Sequence, residues 1–178
     1  IDTLQKGRDG MVRVVPPDTP ITVENLTQWN VNTFLLELRK VPQPILGAFN
    51  ENGWTFVVGT EYLTELSRKL GVNCIGAAVY TEKRIYVSEA SAVLHEFGHF
   101  LDCTMGFPQE HKDLYALEAA SAPMKQHAKS NSLEYFAEFF AYWCSGNTRT
   151  LEQLKELTPE TYAYFDGLSS AWTEAVCD

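Results

Sequence analysis

Five residues constrain this chain more than any others: His95-Glu96-Phe97-Gly98-His99. Residues four apart on an α-helix share a face, with Cβ atoms about 5–6 Å apart. Two imidazoles so placed can converge on one Zn²⁺ at about 2.0–2.1 Å each. Glu96, one residue on from His95, emerges beside that metal, placed to polarise a bound water rather than to ligate. The flanks read as helix. Ser88 or Ser91 can cap it, Ala92-Val93-Leu94 is apolar, and Phe97, Phe100 and Leu101 fall on a buried-type face. Gly98 costs about 1 kcal/mol relative to Ala in mid-helix, so something outside the helix must hold that turn. The bland alternative is an ordinary helix with two incidental histidines. With only 4 histidines in the chain, two of them bracketing a Glu in this register is a rare coincidence.

Length and charge narrow the rest. At 178 residues the chain can bury a sizeable core, and its 45% hydrophobic content is that of a globular domain. A net charge of -9, with no Lys/Arg run, argues against a nucleic-acid-binding surface. No apolar stretch approaches the roughly 18 residues needed to span a bilayer. No signal peptide is visible, and the chain opens on Ile1, as a mature or trimmed form would. Cys74, Cys103, Cys144 and Cys177 allow two disulfides or four free buried thiols, and are too far apart in sequence for a CxxC knuckle.

The pattern along the chain predicts an α+β fold. Residues 1–20, with Gly7, Gly10, Pro16, Pro17 and Pro20, form an extended N-terminal segment, and residues 21–178 a single domain. Leu26, Trp29, Val31, Phe34, Leu35 and Leu38 predict an amphipathic helix over 22–40. A short helix over 44–52, a strand over 54–58 and a helix over 61–70 ended by Gly71 come next. Residues 77–80 and 84–87 flank a turn at Thr81-Glu82-Lys83 and predict a hairpin. Beyond Gly106 the pattern is helical at 109–122, 132–144, 150–157 and 159–168. The expected architecture is a small, mostly antiparallel sheet, then the HExxH helix and a helical C-terminal half.

Two histidines leave a catalytic zinc one protein ligand short. The extended pattern H-E-x-x-H-x-x-G-x-x-H fails here, with Asp102 at its glycine position and Met105 at its third histidine. Asp102 lies seven residues after His95, about 10 Å along the axis, too far to share one metal with it. It remains available to support the ligands from behind. The helix over 132–144 carries Glu134 and Glu138 on one face among Tyr, Phe and Trp. A carboxylate buried there is costly unless paired or metal-bound. Glu134 is thus the leading third ligand, with Glu138 one turn on to accept a hydrogen bond from a ligating imidazole. Glu118 is the rival ligand, and an acidic stripe in water the bland alternative.

HEFGH, with Asp102 after it and then Glu134-Tyr135-Phe136-Ala137-Glu138, resembles the lethal-factor-like metallopeptidases, which include the secreted Pro-Pro endopeptidases. The resemblance runs over about residues 90–168. It implies a zincin-like metalloprotease domain with one zinc held by His95, His99 and Glu134, Glu96 as general base and Glu138 behind the ligands. The family's oxyanion-stabilising tyrosine, seven residues before the ligand Glu, is replaced by His127. Either His127 donates that hydrogen bond, or a tyrosine such as Tyr115 does, or His127 is a surface residue.

The resemblance and the motif together imply an endopeptidase, expected to be secreted and monomeric, with a peptide or protein as its substrate. The zinc would polarise the scissile carbonyl, and Glu96 would carry a proton from water to the leaving amine. Substrate would lie extended along Gly76-Ala77-Ala78-Val79-Tyr80, whose small residues admit another backbone; an ordinary buried strand is the other reading. Trp54 is a candidate for a proline-accepting pocket, with the core as its alternative. Cleavage can be proline-directed or, in a toxin-type protease, aimed at one host protein. A non-catalytic zinc-binding accessory domain is the competing class, and the intact Glu96 speaks against it.

Overall fold

The computed structural model describes residues 4–7, 10–15 and 19–174. Pro16, Pro17 and Cys177 lie outside them. Two compact units divide the chain, residues 1–96 and residues 97–178.

The first unit is built on a six-stranded mixed sheet. Its strands are β1 (Leu4–Gly7), β2 (Gly10–Val15), β3 (Thr19–Asn25), β4 (Thr55–Val58), β5 (Gly76–Val79) and β6 (Arg84–Val87), in the order β1-β2-β3-β4-β6-β5. β4 runs parallel to both its neighbours, while the other pairings are antiparallel. Phe56, Val57 and Val58 are all buried, as an uninterrupted apolar run in a central strand should be. Two helices, α1 (Asn32–Leu38) and α2 (Gln43–Glu51), carry the chain from β3 to the parallel β4. The return to β6 uses α3 (Glu61–Leu70), with Glu61 in its first turn, Arg68 and Lys69 in its last, and Gly71 closing it at φ 70°. β5 and β6 form the expected hairpin, its turn completed by Lys83 at φ 53°. β5 ends the sheet.

The helix expected over 22–40 is a strand and a shorter helix. Ile21 and Val23 are buried while Thr22 and Glu24 are not, the period of two that a strand imposes. The Asn25 side chain then accepts hydrogen bonds from Thr27 N at 2.9 Å and Thr27 Oγ1 at 2.7 Å, a local turn that ends β3. Leu26 and Trp29, which suggested a helical face, are 58% and 43% exposed. Trp54 resolves to its core reading: it is buried beside Phe49 and Tyr80, with ring centroids 6.0 and 6.4 Å away.

The second unit is helical, as expected. It holds α5 (Gln109–Glu118), α6 (Ser132–Ser145), α7 (Thr148–Leu157) and α8 (Pro159–Glu174). The Asn131 side chain caps α6 by accepting from Glu134 N at 2.9 Å, and Asn147 caps α7 through Thr150 N at 3.0 Å. Its core is aromatic, with Phe139 stacked on Phe165 at 4.7 Å. The motif helix α4 (Val93–Thr104) crosses the boundary between the units, which falls after Glu96. Neither serine expected to cap it does so. A 3₁₀ turn, Ala90–Ala92, leads into α4, Ser88 Oγ donates to Ile75 O at 3.3 Å, and Ser91 Oγ to Glu89 at 3.5 Å. Cys74, Cys103 and Cys144 are free thiols. Among the described residues no helix is long and apolar enough to cross a membrane.

Candidate metal centre and active site

Gly98 explains how α4 meets α6. A Cβ at Gly98 would stand 2.6 Å from Ala137 Cα and 2.8 Å from Ala137 O. Two helices in backbone contact need a residue without a side chain at the crossing, which offsets the propensity lost by a mid-helix glycine. Gly98 precedes His99, and Ala137 lies three residues beyond Glu134, so the close crossing brings these two side chains together. His99 Nε2 is 3.3 Å from Glu134 Oε1.

His95 joins them from one turn earlier on α4. Each of His95, His99 and Glu134 offers a ligand atom, and these atoms all lie within 4.8 Å of one another. Two imidazoles and a carboxylate are the donor set of catalytic zinc sites, which keep the fourth position open. His99 is buried and the other two are partly exposed, so the set is anchored on one side and accessible on the other. The residues present fit a zinc ion.

His127, in the 3₁₀ turn Gln126–Lys129, stands next to this set. Its Nε2 is 3.4 Å from Glu134 Oε2, and its side chain is 80% exposed. The two oxygens of Glu134 thus face two different histidines, one buried and one in solvent. Tyr115, the alternative donor, has its hydroxyl committed to Lys129 O at 2.8 Å.

Glu96 is buried, and its surroundings are set by β5. A Cβ at Gly76 would come within 2.8 Å of Glu96 Oε1 and 2.9 Å of Ala92 Cβ. Strand β5 can pass this carboxylate only because Gly76 lacks a side chain. Ala77 and Val79 pack on Val57, Leu63 and Tyr86, which leaves the backbone of β5 at the edge of the sheet.

The remaining carboxylates separate by task. Glu118 is no longer available as a ligand: it is buried at the start of α8, accepting from Glu160 N at 3.1 Å, Thr161 N at 2.6 Å and Thr161 Oγ1 at 2.7 Å. Glu138, one turn beyond Glu134, accepts from Tyr142. Burial above all, then Glu138's charge and hydrogen bond, raise that phenol's pKa. Asp102 is turned to His111, with Oδ1 2.7 Å from His111 Nδ1. His111 went unassigned at the sequence level although it is one of only 4 histidines. Its one visible signal was its place in the first turn of a helix just after Pro108, within reach of the end of α4.

The model of the family "Anthrax toxin lethal factor, N- and C-terminal domain" matches residues 60–168, more than half of the chain. The chain belongs to that family. The matched stretch runs from the start of α3 well into α8 and includes His95, Glu96, His99, His127 and Glu134. Among solved structures, a Pro-Pro endopeptidase from Paenibacillus alvei shares the fold, with a TM-score of 0.63 and 18% sequence identity over 83% of this chain and 95% of that one. The α+β, zincin-like architecture is therefore that of a lethal-factor-family domain. No curated protein matches the chain.

Proposed function

We propose that this lethal-factor-family chain is a zinc-dependent endopeptidase that cuts beside proline. The observation that carries the reading is the convergence of His95, His99 and Glu134 within 4.8 Å of one another, two of them on the helix that also bears Glu96. These three residues would hold the ion, which when bound supplies Lewis-acid polarisation of the scissile carbonyl and of water.

The chain's own residues supply the rest. Glu96, on the helix between the two histidines, takes the proton from the attacking water and returns it to the leaving amine. Its place against Gly76 puts that base at the edge strand β5, where an extended peptide can add as a further strand. His127 Nε2–H donates to the carbonyl oxygen as it gains charge; removing one such donor typically costs about 10²–10³ in kcat. Glu138 stands behind the ligands to accept from a ligating imidazole, as the family resemblance implies, and Asp102 acts through His111. Proline-directed cleavage is supported by the fold shared with the Paenibacillus alvei enzyme, and secretion is proposed on the family resemblance.

The test pairs metal content with turnover. Wild type and Glu96→Gln should each hold one zinc, and only wild type should cleave proline-containing peptides. Zinc bound by both with cleavage by neither would make the chain a non-catalytic zinc-binding domain. If Glu118→Ala loses zinc and Glu134→Ala keeps it, the ligand assignment is wrong.

A further inference from the structure

A second buried cluster joins the helices that carry His99 and Glu134. Asp102, three residues after His99 on α4, is only 1% exposed. Its Oδ1 lies 2.7 Å from His111 Nδ1 on α5, and His111 Nε2 lies 2.7 Å from the Tyr164 hydroxyl on α8. The imidazole lies flat on Phe136 of α6, centroids 4.0 Å apart at 14°, and edge-on to Tyr164 at 5.3 Å and 77°. Phe136 is two residues beyond Glu134. One ring therefore touches α4, α6 and α8 from its own helix α5.

Both ring nitrogens have a hydrogen-bond partner, Nδ1 in the Asp102 carboxylate and Nε2 in the Tyr164 hydroxyl. Burial first, then the charges of Glu110 and Asp102, push that phenol up to about 12, so it stays protonated over the physiological range. Each polar atom of the ring is spoken for. Such a cluster is not the cheapest way to fill a core, because apolar residues of the same volume are often at least as stable. Hydrogen bonds add direction, since a stacked apolar contact tolerates slippage that a bond at 2.7 Å does not.

We propose that His111 is a positioning residue for the metal centre: tethered to Asp102 and Tyr164 and stacked on Phe136, it locks α4 and α6 in the register that holds His99 and Glu134 together. This rests on the zinc reading of the site and adds a determinant of its geometry outside the ligand set.

The test measures zinc affinity by chelator competition alongside the melting of the metal-free protein. The double variant His111→Phe/Asp102→Leu keeps ring volume and stacking and removes the polar cluster. It should melt within a few degrees of wild type yet bind zinc at least about tenfold more weakly, the range typical when support behind metal ligands is lost. Tyr164→Phe, which removes one hydroxyl, should weaken zinc binding by a smaller factor with little change in melting. A double variant that folds and binds zinc within twofold of wild type overturns the proposal. If it does not fold, Tyr164→Phe decides, and an unchanged affinity there overturns it too. Wild type that takes up no zinc would instead refute the metal reading itself, leaving the two failures distinct.

Discussion

Gly98→Ala puts the helix crossing to a quantitative test. In an exposed helix interior this change stabilises by roughly 0.5–1 kcal/mol, because glycine loses more freedom on folding. Here the new methyl would sit 2.6 Å from Ala137 Cα, 2.8 Å from its oxygen and 3.1 Å from its carbonyl carbon. Carbon–carbon contacts are comfortable at about 3.5–4.0 Å, so α4 and α6 must part by about 1 Å. No side chain can swing away to absorb this, since all three contacts are backbone. Overpacking of this kind costs about 1–3 kcal/mol, at least as much as the propensity gain. The net loss, up to about 2.5 kcal/mol, corresponds to a Tm lowered by up to about 10 °C for a chain of this size. The same displacement moves Glu134 from His99, so zinc affinity should fall by about tenfold or more. Thermal melts of the metal-free protein and zinc competition with a chromophoric chelator read the two effects separately. A Tm that rises, with zinc affinity unchanged, would show that the helices do not meet at Gly98 and would refute the reasoning.

Three further outcomes rest on the same geometry. Gly76→Ala would press a methyl on Glu96 at 2.8 Å from Oε1; peptide turnover should drop at least about tenfold as the base is displaced, while zinc content stays at one per chain. Glu118→Ala removes the carboxylate that caps α8; chemical denaturation should show a loss of about 1–3 kcal/mol with zinc affinity preserved, and metal loss would contradict the capping role. Burial pushes the Tyr135 phenol and the Cys144 thiol each up to about 12, from 10.0 and 9.0. Both groups ionise more readily when unfolded, so their contribution is complete below pH 9 and is lost as pH rises from about 9 to 12. Cys144→Ala should flatten the first part of that decline in alkaline urea titrations, and an unaltered slope would contradict the burial.

Where one local signal decided an element, the sequence was legible. Residues 61–70 form α3 as expected because Gly71 supplies a left-handed cap, and the β5–β6 hairpin arises from two short runs about one turn. The stretch 22–40 misled because Leu26 and Trp29 fell at helical spacing although they are exposed. The decisive residue there was Asn25, whose turn ends β3. Within the site, helical spacing placed His95 and His99 on one face, and the aromatic context made Glu134 the leading third ligand with Glu118 still its rival. Spacing alone does not contain contact between helices. Only the folded chain brings Gly98 onto Ala137, His127 to within 3.4 Å of Glu134, and Asp102 onto His111 rather than toward solvent. Glu118 could be separated from Glu134 only once its cap on α8 was known.

The most direct test of the account is cleavage-site profiling by mass spectrometry, using a proline-rich peptide library and protein loaded with one equivalent of zinc. Internal cuts clustered beside proline, abolished by chelation and by Glu96→Gln, are the expected result. An intact library after incubation with folded, zinc-loaded protein would contradict it.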